Sequence, residues 1–370
     1  LSKEVDEKKR LRQAPQISGW DAETLDTQIK RINEEIEEIK KSLPDDNKNE
    51  KPRRIKELNE ADIICATLTG SGHDILADFT FQAVIIDEAA QAIELTSLIP
   101  MKFNPSWCVL VGDSNQLPPT VLSRVATDFF YEQSLFTRIQ RSAPNSVHML
   151  NTQYRMHPEI CRFPSQLFYN SQLQDVMGLE QLRNQRWHAK PIFSPYRFFD
   201  VFGIMGQDQN SFYNKEEAII AVKLVETLIK DFKEIDFRER IGVITPYKRQ
   251  LAEIKRLFIK QIPHELYKAM EFNTVDGFQG KEKDIIIFSC VRAGRESSIG
   301  FLKDIRRMNV ALTRAKSSLF ILGNRQTLEK NLHWKELIED AIRRQLYISC
   351  SGYQFAMMLD AEVGLSNESM

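Results

Sequence analysis

The sequence is short of several things, and each shortage narrows what the chain can be. No apolar run approaches the length of a membrane span, so a transmembrane role is not expected. Cysteines number five, Cys65, Cys108, Cys161, Cys290 and Cys350, and none is spaced like a zinc knuckle or a disulfide framework. At least three lie in apolar, strand-like runs where a reduced thiol packs as a small hydrophobe, which points to a reducing compartment and no zinc site. Net charge is close to absent: 50 Lys and Arg stand against 51 Asp and Glu. Any nucleic-acid binding must therefore come from a local basic groove and not from the field of the whole molecule. Also missing is a Gly-x-x-x-x-Gly-Lys-Thr/Ser phosphate loop. Gly280-Lys281 has Val275 where the leading glycine belongs and Glu282 in place of the hydroxyl. The chain opens Leu1-Ser2-Lys3-Glu4, with neither initiator methionine nor signal-peptide pattern, and is expected to be an internal segment of a longer protein. What is present is 42% hydrophobic and 27% charged, a globular composition, and 370 residues leave room for two ordinary domains.

Residues 1–60 are polar and rich in Lys and Glu, yet Leu25, Ile29, Ile32, Ile36, Ile39 and Leu43 recur at alternating steps of four and three. That is the seam of a heptad helix. Asp21 or Thr24 is placed to cap its start, Pro44-Asp45-Asp46-Asn47 to end it, and Glu37 with Lys41 adds an i,i+4 ion pair. A seam this short needs a partner. An antiparallel helix pair within the chain is the first expectation and a self-associating coiled coil the second; the seam 25–43 is also a candidate surface for a protein partner.

From Asp62 onward, apolar runs (Asp62 to Ala66, Ala83 to Ile86, Cys108 to Val111) alternate with helical or loop material, the pattern of a parallel sheet with helices on its faces. The organising stretch is Val84-Ile85-Ile86-Asp87-Glu88-Ala89-Ala90-Gln91, read as a buried parallel strand that delivers two acids to the sheet edge. In phosphate-loop hydrolases the first such acid holds Mg²⁺ and a second orients the attacking water, so Asp87 and Glu88 are candidates for those roles. Taken alone, the stretch fits equally well a core strand followed by an acidic helix start. Thr67-Leu68-Thr69-Gly70-Ser71-Gly72 offers hydroxyls and amides to a phosphate backbone, or is a simple Ser/Gly turn. Gly112-Asp113-Ser114-Asn115-Gln116-Leu117-Pro118-Pro119 is a polar loop stiffened by two prolines, with Gln116 placed to sense a phosphate or a water.

Val147 to Leu150 reads as an apolar strand leading into Asn151-Thr152-Gln153-Tyr154-Arg155-Met156-His157-Pro158, with a helix opening at Pro158. A lone arginine such as Arg155 is usually a structural ion pair. A second one, Arg314, precedes the apolar run Ser318 to Leu322, and two such arginines can neutralise charge on a transferring phosphoryl group. Between them lie runs reading as strands at Phe198 to Phe202, Ile241 to Ile244 and Ile285 to Val291, and helices over about 215–231 and up to about 259, a second α/β sheet. Residues 328–346 read as one or two amphipathic helices, and residues from about Ser351 onward give no clear signal.

Ala66-Thr67-Leu68-Thr69-Gly70, Asp87-Glu88-Ala89-Ala90, Gly112-Asp113 through Pro119, Gln153 through Pro158, Thr274 through Lys283 and Asn309 through Lys316 resemble, in order and spacing, the successive motifs of superfamily-one helicases. The resemblance is strongest to the senataxin-like branch of the nonsense-decay helicase group and covers about residues 60–345. It implies an α/β fold of two RecA-like lobes with parallel sheets, the first lobe incomplete, plus an N-terminal helical hairpin insertion. In those terms 1–60 is a prong-like insertion, 61–145 the C-terminal part of the first lobe, 146–347 the second lobe and 348–370 a tail.

The resemblance further implies that Asp87 holds Mg²⁺, Glu88 orients the hydrolytic water, Gln116 contacts the γ-phosphate or that water, and Arg155 and Arg314 are arginine fingers. Gly280 and Glu282 are implied in nucleotide contact, and Thr67, Thr69, Pro119, Thr245 and Thr274 in contact with the single strand. ATP and Mg²⁺ are the implied cofactors, single-stranded RNA or DNA the partner, 5′-to-3′ movement the activity, a monomer the state, and the nucleus, then the cytoplasm, the location. The departure is that the phosphate loop, its lysine, the adenine-binding segment and the accessory barrel would all precede Leu1, so the isolated chain is expected to be inactive. Two other readings compete. A non-catalytic scaffold derived from a helicase has no physical need for all of Asp87, Glu88, Gln116, Arg155 and Arg314. A nucleotide switch is told apart by whether single strands stimulate hydrolysis.

Overall fold

The computed structural model describes residues 19–42, 46–294, 298–350 and 355. It divides into two compact units, one of Leu1–Val84 with Leu98–Trp107 and one of Ile85–Ser97 with Cys108–Met370.

In the first unit, helix α1 (Gly19–Ser42) carries the heptad seam, and α2 (Asp46–Glu60) follows. Ile32 is buried and Leu25, Ile29 and Ile36 are half-buried among exposed neighbours, as a one-sided apolar stripe requires. Because α1 starts at Gly19, Asp21 and Thr24 lie inside the helix and do not cap it. The side chains of Glu37, Ile39 and Lys41 and the whole of Leu43 lie outside the described residues. The run 62–66, expected as a strand, is irregular, and Ile63 is 82% exposed. An extended segment becomes a strand only by exchanging ladder bonds with a neighbour, and among the described residues this one has none. The Thr67 segment is a tight turn: Thr67 Oγ1 accepts from the Gly70 amide at 3.0 Å.

Strands β1 (Ala83–Ile86) and β2 (Trp107–Leu110) form a two-stranded sheet. Ile86 is 3% exposed, but Ile85 is 70% exposed, so the expected buried strand is only half buried. A parallel strand is covered on both faces only when helices flank it, and a two-stranded sheet has too little surface to recruit them.

The second unit is built on six parallel strands in the order β12-β5-β11-β10-β8-β9, with β5 at Tyr196–Val201, β8 at Ile241–Thr245, β9 at Glu271–Thr274, β10 at Lys283–Ser289, β11 at Ala315–Gly323 and β12 at Tyr347–Cys350. Side chains alternate between two cores. Phe199, Ile285, Ile287, Phe320 and Leu322 meet Ala221, Leu224, Val225 and Leu228 of one helix (Lys215–Asp231) and Ile254 and Phe258 of another (Lys248–Gln261). Phe198, Ile286, Phe288, Leu319 and Ile321 share the other core with Ile160, Met308, Val310, Trp334 and Leu337. Full burial on both faces explains why 285–288 of β10 and 319–322 of β11 read as unbroken apolar runs.

Two expectations for this unit change. Val147 to Leu150 is irregular, with Leu150 85% exposed, and pairing begins only at the two-residue β3 (Thr152–Gln153), which meets β4 (Gln174–Asp175). After the helical run that ends near Leu346, a segment with no strand expected adds β12, which pairs with β5.

Candidate nucleotide site

The acid turn comes first. Glu88 has φ 52° and ψ 35°, a left-handed conformation that costs a non-glycine residue on the order of 1 kcal/mol or more. Strain of this kind persists where surrounding bonds fix it. The Glu88 amide donates to Asp87 Oδ1 at 2.9 Å, Gln91 Nε2 donates to Glu88 Oε2 at 2.5 Å, and the Ala89 amide donates to Val111 O at 2.7 Å. Gly112 lets the chains approach, since a Cβ there would sit 2.8 Å from the Ala90 nitrogen. Asp87 and Glu88 are both exposed, held at the strand end and open to solvent.

The loop after β2 places Gln116 beside Arg314. Gln116 Nε2 donates to Asp113 Oδ2 at 3.0 Å, and Arg314 Nη2 makes a long 3.5 Å contact with Gln116 Oε1. Arg314 follows the helix Ile305–Leu312 and stands just before β11, with Nε on Val310 O at 3.0 Å and Nη2 on Thr313 Oγ1 at 2.8 Å. It is 2% exposed. Burial, then repulsion from Arg155, lowers its pKa to about 10, while Tyr169, Glu88 and Glu282 pull it up. It therefore stays charged at neutral pH, in the field of both the second arginine and the acid turn.

Arg155 is set by its own turn. Gln153 Oε1 accepts the amides of Arg155 at 3.0 Å and Met156 at 2.8 Å, and Gln153 Nε2 reaches Met156 O and Asp175. His157 caps the following helix, Pro158–Phe168, by accepting from the Glu159 amide, with Pro158 at its first position. The guanidinium donates to Glu282 Oε2 at 2.5 Å and to Thr313 O at 3.2 Å, while Lys316 Nζ stands 2.9 Å from Glu282 Oε1. Burial raises the Glu282 pKa, but Lys316 and Arg155 outweigh it and hold the carboxyl below the usual range. Both Glu282 oxygens are thus taken, so a nucleotide contact from Glu282 requires exchange of Arg155 or Lys316. Gly280, two residues earlier, is exposed at φ 77°, a conformation glycine adopts freely.

Gln116, Arg155, Glu282, Arg314 and Lys316 therefore converge where β10 and β11 begin. The residues expected to touch a strand are placed elsewhere. Thr245 and Thr274 are the last residues of β8 and β9 and are register partners, at the carboxyl-terminal end of the parallel strands, opposite the end where β10 and β11 begin. Thr274 is half-buried, but Thr245 is 0% exposed and Pro119 is buried, so neither presents a side chain to a strand in this conformation. Thr67 and Thr69 are exposed in the first unit.

Sequence reasoning missed several members of the site. Lys316 lies beside Arg314 and was visible as a cation without a role. Asp113, Tyr169 and Asn309 are joined through the fold: Tyr169 OH donates to Asp113 Oδ2 at 2.6 Å, and Asn309 Nδ2 donates to Tyr169 OH at 2.8 Å and to Asn115 O at 3.0 Å. No local pattern marks Tyr169.

Two family models, each described as "AAA domain", match residues 2–124 and 131–326. The chain is 47% identical over 318 residues to "Helicase sen1" of Schizosaccharomyces pombe, a match covering 84% of this chain and 19% of that protein. It is 48% identical over 306 residues to "Helicase SEN1" of Saccharomyces cerevisiae, covering 80% and 14% respectively. Against human "Probable helicase senataxin" the identity is 37% over 340 residues, covering 86% and 12%. The chain thus spans less than a fifth of the length of each of these relatives.

Proposed function

The chain belongs to the senataxin-like branch of the superfamily-one helicases, and from that premise we propose that it supplies most of the core of an enzyme coupling ATP hydrolysis to movement along a single strand of RNA or DNA. The observation that carries this reading is the convergence of Arg155 and Arg314 on one region beside Gln116, within the field of Glu88. Two guanidiniums that repel each other attract an anion to the region they share, and a transferring phosphoryl group is such an anion. Arg314 is preorganised by Val310 and Thr313. Arg155 is released to the phosphate when Glu282 keeps Lys316 as its sole cation.

The acid turn fits its part. Asp87 is an exposed carboxylate suited to a hard cation, and would hold Mg²⁺, which when bound neutralises charge on the phosphates. Glu88, held in its strained conformation, accepts a proton from the attacking water, and Gln116 orients that water. The phosphate loop is not among these residues, so in this reading the remainder of the protein contributes it. In these terms 61–145 belongs to the first lobe, 146–347 is the second, and 1–60 forms an accessory helical insertion.

Loss of the γ-phosphate removes the charge that holds the arginines to the nucleotide, so in this reading their arrangement alternates with nucleotide state. Threonine hydroxyls and backbone amides grip phosphates without reading sequence, so alternation becomes stepping, in the 5′-to-3′ direction. A nuclear site of action belongs to the same reading. The test is ATP turnover by the full-length protein with and without single-stranded oligonucleotides, paired with unwinding of duplexes bearing a 5′ or a 3′ overhang. Strand-stimulated turnover and unwinding from the 5′ overhang support the reading. Turnover indifferent to single strands would leave a nucleotide switch, and no turnover a scaffold.

A further inference from the structure

Within that reading, we infer that Tyr169 is a positioning residue for hydrolysis, holding Gln116 and Arg314 at one spacing through a closed ring of hydrogen bonds. The ring can be followed atom by atom. Tyr169 OH donates to Asp113 Oδ2 at 2.6 Å, and the same oxygen accepts from Gln116 Nε2 at 3.0 Å. Gln116 Oε1 faces Arg314 Nη2 at 3.5 Å, and that nitrogen also donates to Thr313 Oγ1 at 2.8 Å. Thr313 Oγ1 donates to Asn309 O at 2.8 Å, and Asn309 Nδ2 returns to Tyr169 OH at 2.8 Å. Three segments far apart in sequence are thereby locked together: the loop carrying Gln116, the helix leading to Arg314, and the end of the helix Pro158–Phe168.

Tyr169 lies outside every motif that pointed to the site, yet it is the group joining Asp113 to Asn309. Its position is fixed independently, because its amide donates to Ser165 O at 3.1 Å as the helix cap and its ring sets an edge to Phe168. Burial, then the Asp113 carboxylate, raises its pKa far above neutrality, so the phenol keeps its proton and can only donate toward Asp113. Asn309 is 0% exposed, so its amide has no solvent route to an alternative arrangement.

Tyr169→Phe opens the ring at one point and strands little. Asn309 Nδ2 keeps Asn115 O, and Asp113 Oδ2 keeps Gln116 Nε2. What is lost is the hydrogen bond that fixes Asp113 Oδ2, so the carboxylate, still held at Oδ1 by the Asn115 amide at 2.9 Å, swings about that bond and Gln116 drifts from Arg314. The experiment is single-turnover and steady-state ATP hydrolysis by the full-length protein carrying Tyr169→Phe, Gln116→Ala or both, with Glu88→Gln alongside. The expected result for Tyr169→Phe is kcat lower by about tenfold with KM for ATP and melting temperature close to wild type, as for loss of a positioning bond that is felt in the transition state and not in substrate binding. In the Gln116→Ala background the same substitution should change the single-turnover rate by less than about twofold, because residues acting as one unit are not additive. Wild-type kcat, a loss that multiplies fully with Gln116→Ala, or a fall in melting temperature accounting for the loss would each overturn the proposal. If Glu88→Gln abolishes turnover while Tyr169→Phe does nothing, only the role of Tyr169 falls. Wild-type turnover by Glu88→Gln would bring down the hydrolysis reading and this inference with it.

Discussion

Glu217 is a buried carboxyl with no cation on it among the described residues, and its replacement tests how the six-stranded sheet is held at the end where Thr245 lies. Its oxygens accept from the Val291 amide at 3.0 and 2.8 Å and from Ser289 Oγ at 2.5 Å, and Asn214 Nδ2 stands at 3.4 Å. Val291 sits at φ 71°, strained for a β-branched residue, and this carboxyl is what fixes it there. In Glu217→Leu the Val291 amide and the Ser289 hydroxyl lose their acceptor, whereas Asn214 keeps Val291 O. Two orphaned buried donors at about 1–3 kcal/mol each give a loss of roughly 4 kcal/mol. For a unit of this size that is a melting-point fall of roughly 8–16 °C.

Glu217→Gln should cost under about 1 kcal/mol, because an amide replaces a carboxyl that is already largely neutral. Burial pushes the Glu217 pKa up to about 8, with Ser289 and the Val291 amide opposing. A carboxyl whose folded pKa is raised contributes its full stability below the unfolded value of 4.5 and loses it as pH rises toward about 8. Urea unfolding across that interval should therefore show wild-type stability declining relative to Glu217→Gln. If Glu217→Gln costs as much as Glu217→Leu, or the two pH profiles are parallel, the carboxyl is ionised in the fold and the reasoning fails.

The remaining predictions concern acid sensitivity and the isolated chain. Burial, then the nearby His157, lowers the His188 pKa to about 4, so His188 contributes stability that is complete above the unfolded value of 6.5 and lost as pH falls toward about 4. His188→Gln should flatten the fall in the urea midpoint over that interval, and an unchanged slope would assign the acid sensitivity to other groups. The polypeptide Leu1–Met370 on its own should hydrolyse ATP no faster than its Glu88→Gln control, since the amides and lysine of a phosphate loop are not among its residues. Strand-stimulated turnover abolished by Glu88→Gln in that polypeptide would mean that a phosphate cradle exists in a form the sequence motif does not describe.

Long periodic elements were legible in the sequence. The helix Lys215–Asp231 and strands β8 and β11 are where apolar spacing puts them, because each is fixed by residues within its own run. What depends on a distant partner was not legible. The run 62–66 has strand composition without a strand neighbour among the described residues, and β12 becomes a strand only by meeting β5. The hairpin of Met205–Asp208 and Ser211–Asn214 turns through Gln209 at φ 50°, without the Asn-Gly or Asp-Gly signal that would have marked it. The site shows the same division. Asp87, Glu88, Gln116, Arg155 and Arg314 stood out because each sits in a compact motif, whereas the link from Asp113 through Tyr169 to Asn309 spans three separated segments. Burial of the Thr245 side chain was likewise hidden, since a strand end reads the same whether its last hydroxyl faces solvent or core.

The central claim is that Glu88, Arg155 and Arg314 serve one phosphoryl transfer. Its most direct test is strand-stimulated ATP turnover by the full-length protein with each residue replaced, alongside ATP affinity measured on the same preparations. Glu88→Gln is predicted to keep ATP binding and lose about two to four orders of magnitude in turnover, as for a positioned general base. Arg155→Ala and Arg314→Ala are each predicted to slow turnover by about a thousandfold, with affinity affected far less. Normal turnover in Glu88→Gln, or arginine variants that only melt earlier while hydrolysing at the wild-type rate, would contradict the account.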